Sequence, residues 1–154
     1  MKVRGFTLIE LIITLLIGSL LLAWGVPNYR DFKVRRQVVD NANEFVYSMN
    51  LARAEAVRYG TSVTVVPVSG DWDMGWITTA IGVGGNPDVK IEEHDPVSDM
   101  DITFSSNPGG SVTFNRIGGL SGSAVAVFSL AHANGASSRN VRIGMSGSVK
   151  VIQP

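Results

Sequence analysis

The feature that most constrains this chain is an apolar run near its N-terminus that continues, without a turn signal, into an amphipathic helical pattern. The run from Leu8 to Val26 contains a single charged residue, Glu10. As a helix it would be about 28 Å long, which is enough to cross the hydrocarbon core of a bilayer. A buried helix of a soluble protein is the alternative, but hydrophobicity on nearly all sides over this length favours lipid.

The second part of the same helix has one apolar face. Apolar residues recur there at steps of three and four, while polar residues occupy the opposite face. Gly60 follows the last of them, where a glycine commonly ends a helix. The face that we expect to pack on a domain consists of Val38, Ala42, Phe45, Met49, Ala52, Ala56 and Tyr59.

Together the two patterns predict one helix from about Phe6 to Tyr59, on the order of 80 Å long. Pro27 has no N–H, so the carbonyl of Ala23 loses its hydrogen bond, and we expect the helix to bend or loosen at this helix-breaking residue. A small domain cannot bury a helix of this length. Its first half must therefore be covered by lipid or by other copies of the chain, which indicates an assembly.

The remainder of the chain alternates short β-prone runs with Gly, Pro, Asn and Ser, which predicts an antiparallel sheet and an α+β fold. Pro67 predicts that the first strand lies at a sheet edge or ends there. Two similar segments, 116–123 and 142–148, are interpreted as the Gly-Ser turns of two hairpins. The predicted strands are Ser62–Val68, Trp76–Ile81, Val89–Glu92, Ile102–Phe104, Ser111–Asn115, Ala124–Leu130, Val141–Met145 and Val149–Ile152.

Charge is unevenly distributed along a chain whose net charge is zero, so no global basic field indicates a nucleic-acid partner. Residues 71–101 contain eight acids and one cation, whereas residues 102–154 contain four cations and no acid. We interpret this gradient as a solvated surface. The alternatives are that subunits meet charge to charge, or that the C-terminal region contacts a polyanion.

No catalytic or metal-binding pattern is present in the sequence. The chain has no cysteine, and its two histidines, His94 and His132, lie far apart without a motif around either. The acids of 92–101, including Asp99 and Asp101, have the chemistry to hold Ca²⁺, but we favour a solvated acidic loop. We therefore predict that the protein is not an enzyme, that it needs no cofactor and that it binds no metal.

The residues that precede the apolar run form a specific motif. The segment 5–10, Gly-Phe-Thr-Leu-Ile-Glu, closes a short leader that carries Lys2 and Arg4. In this position it resembles the prepilin peptidase site of type IV pilins and pseudopilins. The resemblance implies cleavage between Gly5 and Phe6, N-methylation of Phe6, and a structural role in a filament.

The same resemblance implies a role for Glu10. A carboxylate inside an apolar span is costly and by default functional, although a position at the membrane interface is the alternative. In the family this glutamate neutralises the N-terminus of a neighbouring subunit, which implies that Glu10 fixes the register of assembly. Pro27 likewise matches the helix-breaking proline that follows the span in pilins.

Two observations compete with this interpretation. The segment 23–25, Ala-Trp-Gly, has the small-x-small form of a secretory cleavage site, but Glu10 and the continuing helix argue against a signal peptide. Four cations follow the span and two precede it, so the positive-inside rule would place the domain in the cytoplasm. The resemblance implies the opposite orientation, because the leader must face the cytoplasm to be processed.

The C-terminal part is similar to the GspH/FimT group of minor pilins and pseudopilins. The similarity rests on the segments 51–56, 75–77 and 114–118 and on a terminal hairpin. It implies a pilin fold with a leader at 1–5, a transmembrane and assembly segment at 6–27 and a periplasmic domain at 28–154. The implied partners are other pilin subunits, prepilin peptidase and the inner membrane, and a major pilin remains the alternative within this class.

Binding of DNA is a further function that the family implies. Some minor pilins bind DNA through arginines near the C-terminus, and here Arg139, Arg142 and Lys150 lie in the acid-free stretch. The spacing departs from the Gly-Arg-x-Arg of the DNA-binding members. On a strand, Arg139 and Arg142 are expected to point to opposite faces, which weakens a joint contact with phosphate.

Overall fold

A computed structural model describes residues 6–82, 84–97, 102–107, 109–122, 124–133, 135 and 137–152. Its first element, α1, is one helix of 52 residues, Leu8–Tyr59. Thr7 caps the N-terminus, and its hydroxyl oxygen accepts a hydrogen bond from the Glu10 N–H at 3.3 Å. At the other end Gly60 has a left-handed backbone (φ 66°), which a glycine adopts without steric cost. The prediction of one long helix is therefore confirmed.

The helix continues through Pro27 without interruption. The proline has no N–H to donate, but the residues on both sides keep the helical conformation. The helix is therefore continuous at Pro27, as predicted, and a bend at this residue stays a prediction.

In the described part of the chain, eight antiparallel strands follow α1, and they form two sheets where the sequence predicted one. The first sheet has the order β3-β2-β1-β5, and the second has the order β4-β6-β7-β8. Two short 3₁₀ turns, Val68–Gly70 and Trp72–Met74, connect β1 to β2. The strands are β1 Val63–Pro67, β2 Trp76–Ala80, β3 Val89–His94, β4 Ile102–Asn107, β5 Val112–Phe114, β6 Ala126–His132, β7 Ser138–Ile143 and β8 Val149–Ile152.

All eight predicted strands are present, with ends shifted by a few residues. Pro67 is the last residue of β1, which confirms that the first strand ends there. The segment 142–148 does form a hairpin, because Ile143 pairs with Val149. The other segment, 116–123, makes its tight turn, because Phe114 and Leu120 form an antiparallel bridge and the Ser121 N–H donates to the Thr113 carbonyl at 2.7 Å. The predicted pairing of the strands on either side was wrong, because β5 and β6 lie in different sheets.

The buried face of α1 packs on both sheets. Its apolar members Val38, Ala42, Phe45, Met49, Ala52 and Ala56 are all at most 1% exposed, as predicted. Tyr59 is 44% exposed, so its predicted place in the core was wrong. Tyr59 is the last residue of the helix, three residues beyond the last buried one, Ala56, and the guanidinium of Arg58 lies 4.3 Å from its ring centroid.

Phe45 lies at the junction of the two sheets. Its ring makes edge-to-face contact with Trp72 and with Trp76 of β2, at centroid distances of 5.5 and 5.2 Å. On its other side it contacts Phe104 of β4 at 5.6 Å and Phe128 of β6 at 4.6 Å. One side chain of the helix therefore joins aromatic residues from both sheets, and such pairs add to the stabilisation from buried area.

The two similar glycine-containing segments meet beside the C-terminal end of α1. The Leu120 N–H donates to the Met145 carbonyl at 3.0 Å. A Cβ added at Gly147 (φ +77°) would lie 1.9 Å from the carbonyl oxygen of Gly118, so the backbones approach too closely for any side chain. The repeated glycines therefore serve the packing of one turn on the other.

Candidate functional site

The first half of α1 is an exposed apolar surface. An 18-residue window in this helix has a mean hydropathy of 2.2 and is not buried by the domain, so by length and composition it can cross a membrane. A surface of this size on a soluble monomer would be unusual and indicates contact with lipid or protein. Its large exposed side chains are Phe6, Leu8, Ile9, Leu11, Ile12, Ile13, Leu15, Leu16, Ile17, Leu20, Leu21, Leu22, Trp24, Val26, Tyr29 and Phe32.

The predicted processing and assembly residues lie at the start of this surface. Gly5 lies outside the described residues, as does the rest of the leader. Phe6 is 80% exposed and precedes the helix. The Glu10 side chain is exposed in the first helical turn, and among the described residues its carboxylate has no hydrogen-bond or ion-pair partner. An acid in the first turn is favoured by the helix dipole, but the carboxylate itself is free for a partner from outside the chain.

Thr7 and Glu10 have the spacing of a capping box, which the sequence analysis missed. The Thr7 hydroxyl satisfies one of the N–H groups that a helix leaves unpaired at its start. The threonine three residues before a glutamate, just ahead of an apolar run, was the signal that could have revealed it. Only this half of the box is formed, since among the described residues the Glu10 carboxylate accepts no hydrogen bond from the Thr7 N–H.

The predicted cations near the C-terminus are divided between two faces of the second sheet. Arg142 of β7 pairs directly with Lys150 of β8, and both side chains are exposed beside a shallow depression that Gly144 and Ser148 also line. Arg139 is on the other face, the face of buried Val141 and Ile143, and its Nη1 donates to the Ser138 carbonyl at 2.8 Å. The predicted separation of Arg139 from Arg142 is confirmed.

The acids of the segment 71–101 are used individually where the structure describes them. An oxygen of Asp73 accepts the Phe104 N–H at 2.6 Å, and an oxygen of Asp88 accepts the Gly82 N–H at 2.7 Å. Asp99 and Asp101 lie outside the described residues. Within the described part of the chain, no group of three or more His, Asp or Glu side chains is placed to hold a metal ion.

His94 connects β3 to the helix. Its ring stacks on Trp76 at a centroid distance of 3.9 Å, and its Nε2 lies 3.2 Å from a carboxylate oxygen of Glu44 on α1. Its Nδ1 lies 2.7 Å from the carbonyl oxygen of Asp95. Both ring nitrogens are thus engaged by groups of the fold, and this histidine has a structural role at the edge of the first sheet.

The C-terminal end of α1 carries one further ion pair. Arg58 Nε donates to the Glu55 carboxylate at 2.6 Å, and this hydrogen bond raises the pKa of Arg58. Both residues lie on the part of the helix that packs on the domain. The Arg58 side chain is largely exposed, so this ion pair contributes little to the stability of the fold.

Two family models match the chain. The model for the type II transport protein GspH matches residues 41–147, and the model for the prokaryotic N-terminal methylation motif matches residues 1–26. Among curated proteins, a fimbrial protein of Pseudomonas aeruginosa is 26% identical over 113 residues, which is 71% of this chain and 73% of that protein.

Solved structures show the same fold. The type IV minor pilin FimU of Pseudomonas aeruginosa matches with a TM-score of 0.66 at 20% identity, over 79% of this chain and 92% of that one. The minor pseudopilin EpsH from the type 2 secretion system of Vibrio cholerae matches with a TM-score of 0.58 at 12% identity, over 77% of this chain and 98% of that one. The predicted pilin fold is confirmed.

Proposed function

This chain belongs to the GspH family, and from that we propose that it is a structural minor pilin or pseudopilin. In this role it assembles into, primes or caps a type IV pilus or a type II secretion pseudopilus. The observation that carries the proposal is the exposed apolar half of α1, which the domain leaves uncovered over its whole length. Such a surface needs lipid before assembly and neighbouring helices after it.

Some similar proteins belong to type II secretion and others to type IV pili. The family model is named for a type II transport protein, while the curated relative is fimbrial and FimU belongs to a type IV pilus. The minor subunit is favoured over the alternative, a major pilin, because FimU and EpsH are both described as minor subunits. No catalytic role is part of the proposal.

Processing by prepilin peptidase is part of the proposed function. The leader 1–5 and the match of residues 1–26 to the methylation motif support cleavage between Gly5 and Phe6 and methylation of Phe6. Before assembly, the segment 6–27 anchors the subunit in the inner membrane and the domain 28–154 lies in the periplasm. This orientation follows from the peptidase, which acts on the cytoplasmic side.

We expect the mature protein to begin at Phe6 and to carry one added methyl group. Intact mass of the membrane-extracted chain measures this. Gly5→Leu should abolish cleavage, since the proposed site lies directly after this glycine, whereas Gly25→Leu should leave it unchanged. No atom lies within 4 Å of a Cβ added at Gly25, so that control variant is free of clashes. A mature chain that begins at Val26 would contradict the filament function.

A second candidate function, DNA binding, is favoured by the exposed pair of Arg142 and Lys150. Two cations across adjacent strands are placed to contact neighbouring phosphates, and the Ser148 hydroxyl beside them can donate to a phosphate oxygen. Arg139 contributes less to this face, because its side chain lies on the opposite side of the strand.

For the domain, we expect weak, sequence-independent binding to duplex DNA, with a dissociation constant of about 10⁻⁴ to 10⁻⁶ M. Two phosphate contacts predict a slope of about −2 for log K against log salt. Changing Arg142 and Lys150 together to Gln should remove most of the affinity, and Arg139→Gln should change it little. Fluorescence anisotropy at low salt measures the affinity. An equal loss of affinity in the double variant and in Arg139→Gln would contradict the assignment of DNA binding to the face of Arg142 and Lys150.

A further inference from the structure

Between its apolar span and the domain, α1 carries a group of cationic and aromatic side chains that point outward on several sides. Arg30, Lys33, Arg35 and Arg36 are all exposed, and Asp31 is the one carboxylate between Pro27 and Gln37. The aromatic members are Trp24, Tyr29 and Phe32, which are 80%, 69% and 61% exposed. We call these seven cationic and aromatic residues the collar.

The collar lies where the helix leaves the membrane. It begins at the end of the apolar run, and the first helix residue buried in the core, Val38, comes about 18 Å beyond Val26 along the axis. Trp and Tyr concentrate at membrane–water interfaces, where ring and polar tip are both accommodated. Arg and Lys next to a span extend their charged ends to the headgroups. Position and composition therefore both match the headgroup layer.

The cations are distributed around the whole helix. Counting 100° per residue from Arg30, Lys33 lies at about 300°, Arg36 at about 240° and Arg35 at about 140°. A neighbouring protein would contact one side of a helix, whereas headgroups surround it. The distribution therefore favours lipid over the acidic face of a second copy of the chain.

The charge of the collar also requires an explanation of its own. In the proposed orientation these four cations lie on the periplasmic side, against the positive-inside rule. Among them, Arg36 alone has a carboxylate within ion-pair distance in the described residues, that of Asp40 at 3.7 Å, with both side chains largely exposed. The other cations lack a protein partner there, and anionic lipid headgroups have the charge that would balance them.

From these observations we propose that the collar is a binding site for anionic phospholipid headgroups at the periplasmic surface of the inner membrane. The site rests on the proposed membrane insertion, and it adds a lipid preference that insertion alone does not require. It holds the subunit at a fixed depth and sets how far the domain stands from the membrane before assembly.

The tryptophans of the chain allow a direct test. Trp24 is in the collar, whereas Trp72 and Trp76 are buried in the domain at 4% and 0% exposure. The full chain is inserted into vesicles of equal parts phosphatidylglycerol and phosphatidylcholine, with brominated acyl chains on one lipid or the other. Bromine quenches tryptophan on contact, so the ratio of the two quenching values reports which lipid surrounds Trp24. A Trp24→Phe variant gives the background from the domain.

We expect phosphatidylglycerol to quench at least twofold more than phosphatidylcholine, with a preference that weakens at high salt. Changing Arg30, Lys33, Arg35 and Arg36 to Gln should bring the ratio to one. The matched control changes the domain cations Arg58, Lys90, Arg116 and Arg139 to Gln, removes the same charge and should keep the wild-type ratio.

Three results would overturn the proposal. Equal quenching by the two lipids in the wild type would show that the collar has no lipid preference. An unchanged preference in the collar variant would place the preference elsewhere. Absence of quenching by either lipid would show that the helix does not insert, and this outcome alone would also contradict the proposed membrane function.

Discussion

The domain that begins at Asn28 is expected to lose its cooperative fold when Phe45 is replaced by aspartate. Removing the ring alone, as in Phe45→Ala, should lower the free energy of unfolding by about 3–5 kcal/mol. The aspartate adds an unpaired carboxylate at a position that is 0% exposed and surrounded by aromatic rings of both sheets. The total reaches the whole stability of a typical small domain, about 5–15 kcal/mol.

Tyr47→Asp is the matched control for this experiment. Tyr47 lies two residues further along the same helix and is 64% exposed, so the change should alter stability by no more than about 0.5 kcal/mol. Thermal melting followed by circular dichroism, with size-exclusion chromatography, distinguishes the variants. A monomeric Phe45→Asp domain that melts cooperatively would show that the buried face of α1 is not the core of the fold.

The helix and the positions of the strands were predictable because their signals are local. Six of the seven residues predicted for the apolar face of α1 are buried. Apolar residues with a period of 3.6 lie on one side of a helix, and this side is the one that packs on the domain. Tyr59 was mispredicted because the sheets do not cover the last turn of the helix, although the residue fits the helical period. The apolar face continues in the sequence to Tyr59, but the packed surface ends at Ala56.

The pairing of the strands was not predictable in the same way. The sequence marks each strand through its flanking turn residues, but β1 pairs with β5 and β4 with β6 across long intervening segments. These contacts depend on the docking of each sheet against α1. The segment 116–123 shows the consequence: its glycines predict a tight turn correctly, yet turn chemistry does not determine which strand the chain pairs with afterwards.

Two buried polar residues of α1 were also beyond the sequence pattern. Asn41 and Ser48 lie at the sides of the apolar stripe and are 6% and 0% exposed. Asn41 satisfies its amide within the helix, because its Nδ2 donates to the Gln37 carbonyl at 2.9 Å. A pattern that classifies residues as apolar or polar places both side chains in solvent. A local hydrogen bond accounts for the burial of Asn41, whereas the Ser48 hydroxyl is buried with no hydrogen-bond partner among the described residues.

The candidate sites divide along the same line. The exposed apolar half of α1 follows from the sequence, because no small domain could cover it. That Arg142 lies next to Lys150 could be seen only from the strand register of the β7–β8 hairpin. The sequence grouped these residues with Arg139 only by their closeness along the chain, and the alternation of a strand separates Arg139 from them.

The largest expected effect on assembly is at Glu10. We expect Glu10→Leu to leave the domain folded and to reduce incorporation into filaments by at least about tenfold. The proposed partner of Glu10 is the N-terminal amine of a neighbouring subunit, which the change leaves buried and unpaired. Loss of one partner from a buried ion pair costs about 3–5 kcal/mol, which exceeds the 1.4 kcal/mol that corresponds to a factor of ten.

Two further variants separate this role from helix capping. Glu10→Gln keeps the reach of a capping box but removes the charge, and Thr7→Val removes the hydroxyl that accepts the Glu10 N–H but keeps the carboxylate. If Glu10 pairs with an amine, Glu10→Gln should be as deficient as Glu10→Leu, and Thr7→Val should assemble nearly normally. The reverse order, measured as the amount of subunit in sheared filaments at equal cellular abundance, would show that Glu10 acts by capping the helix. The charge would then have no part in fixing the register of assembly.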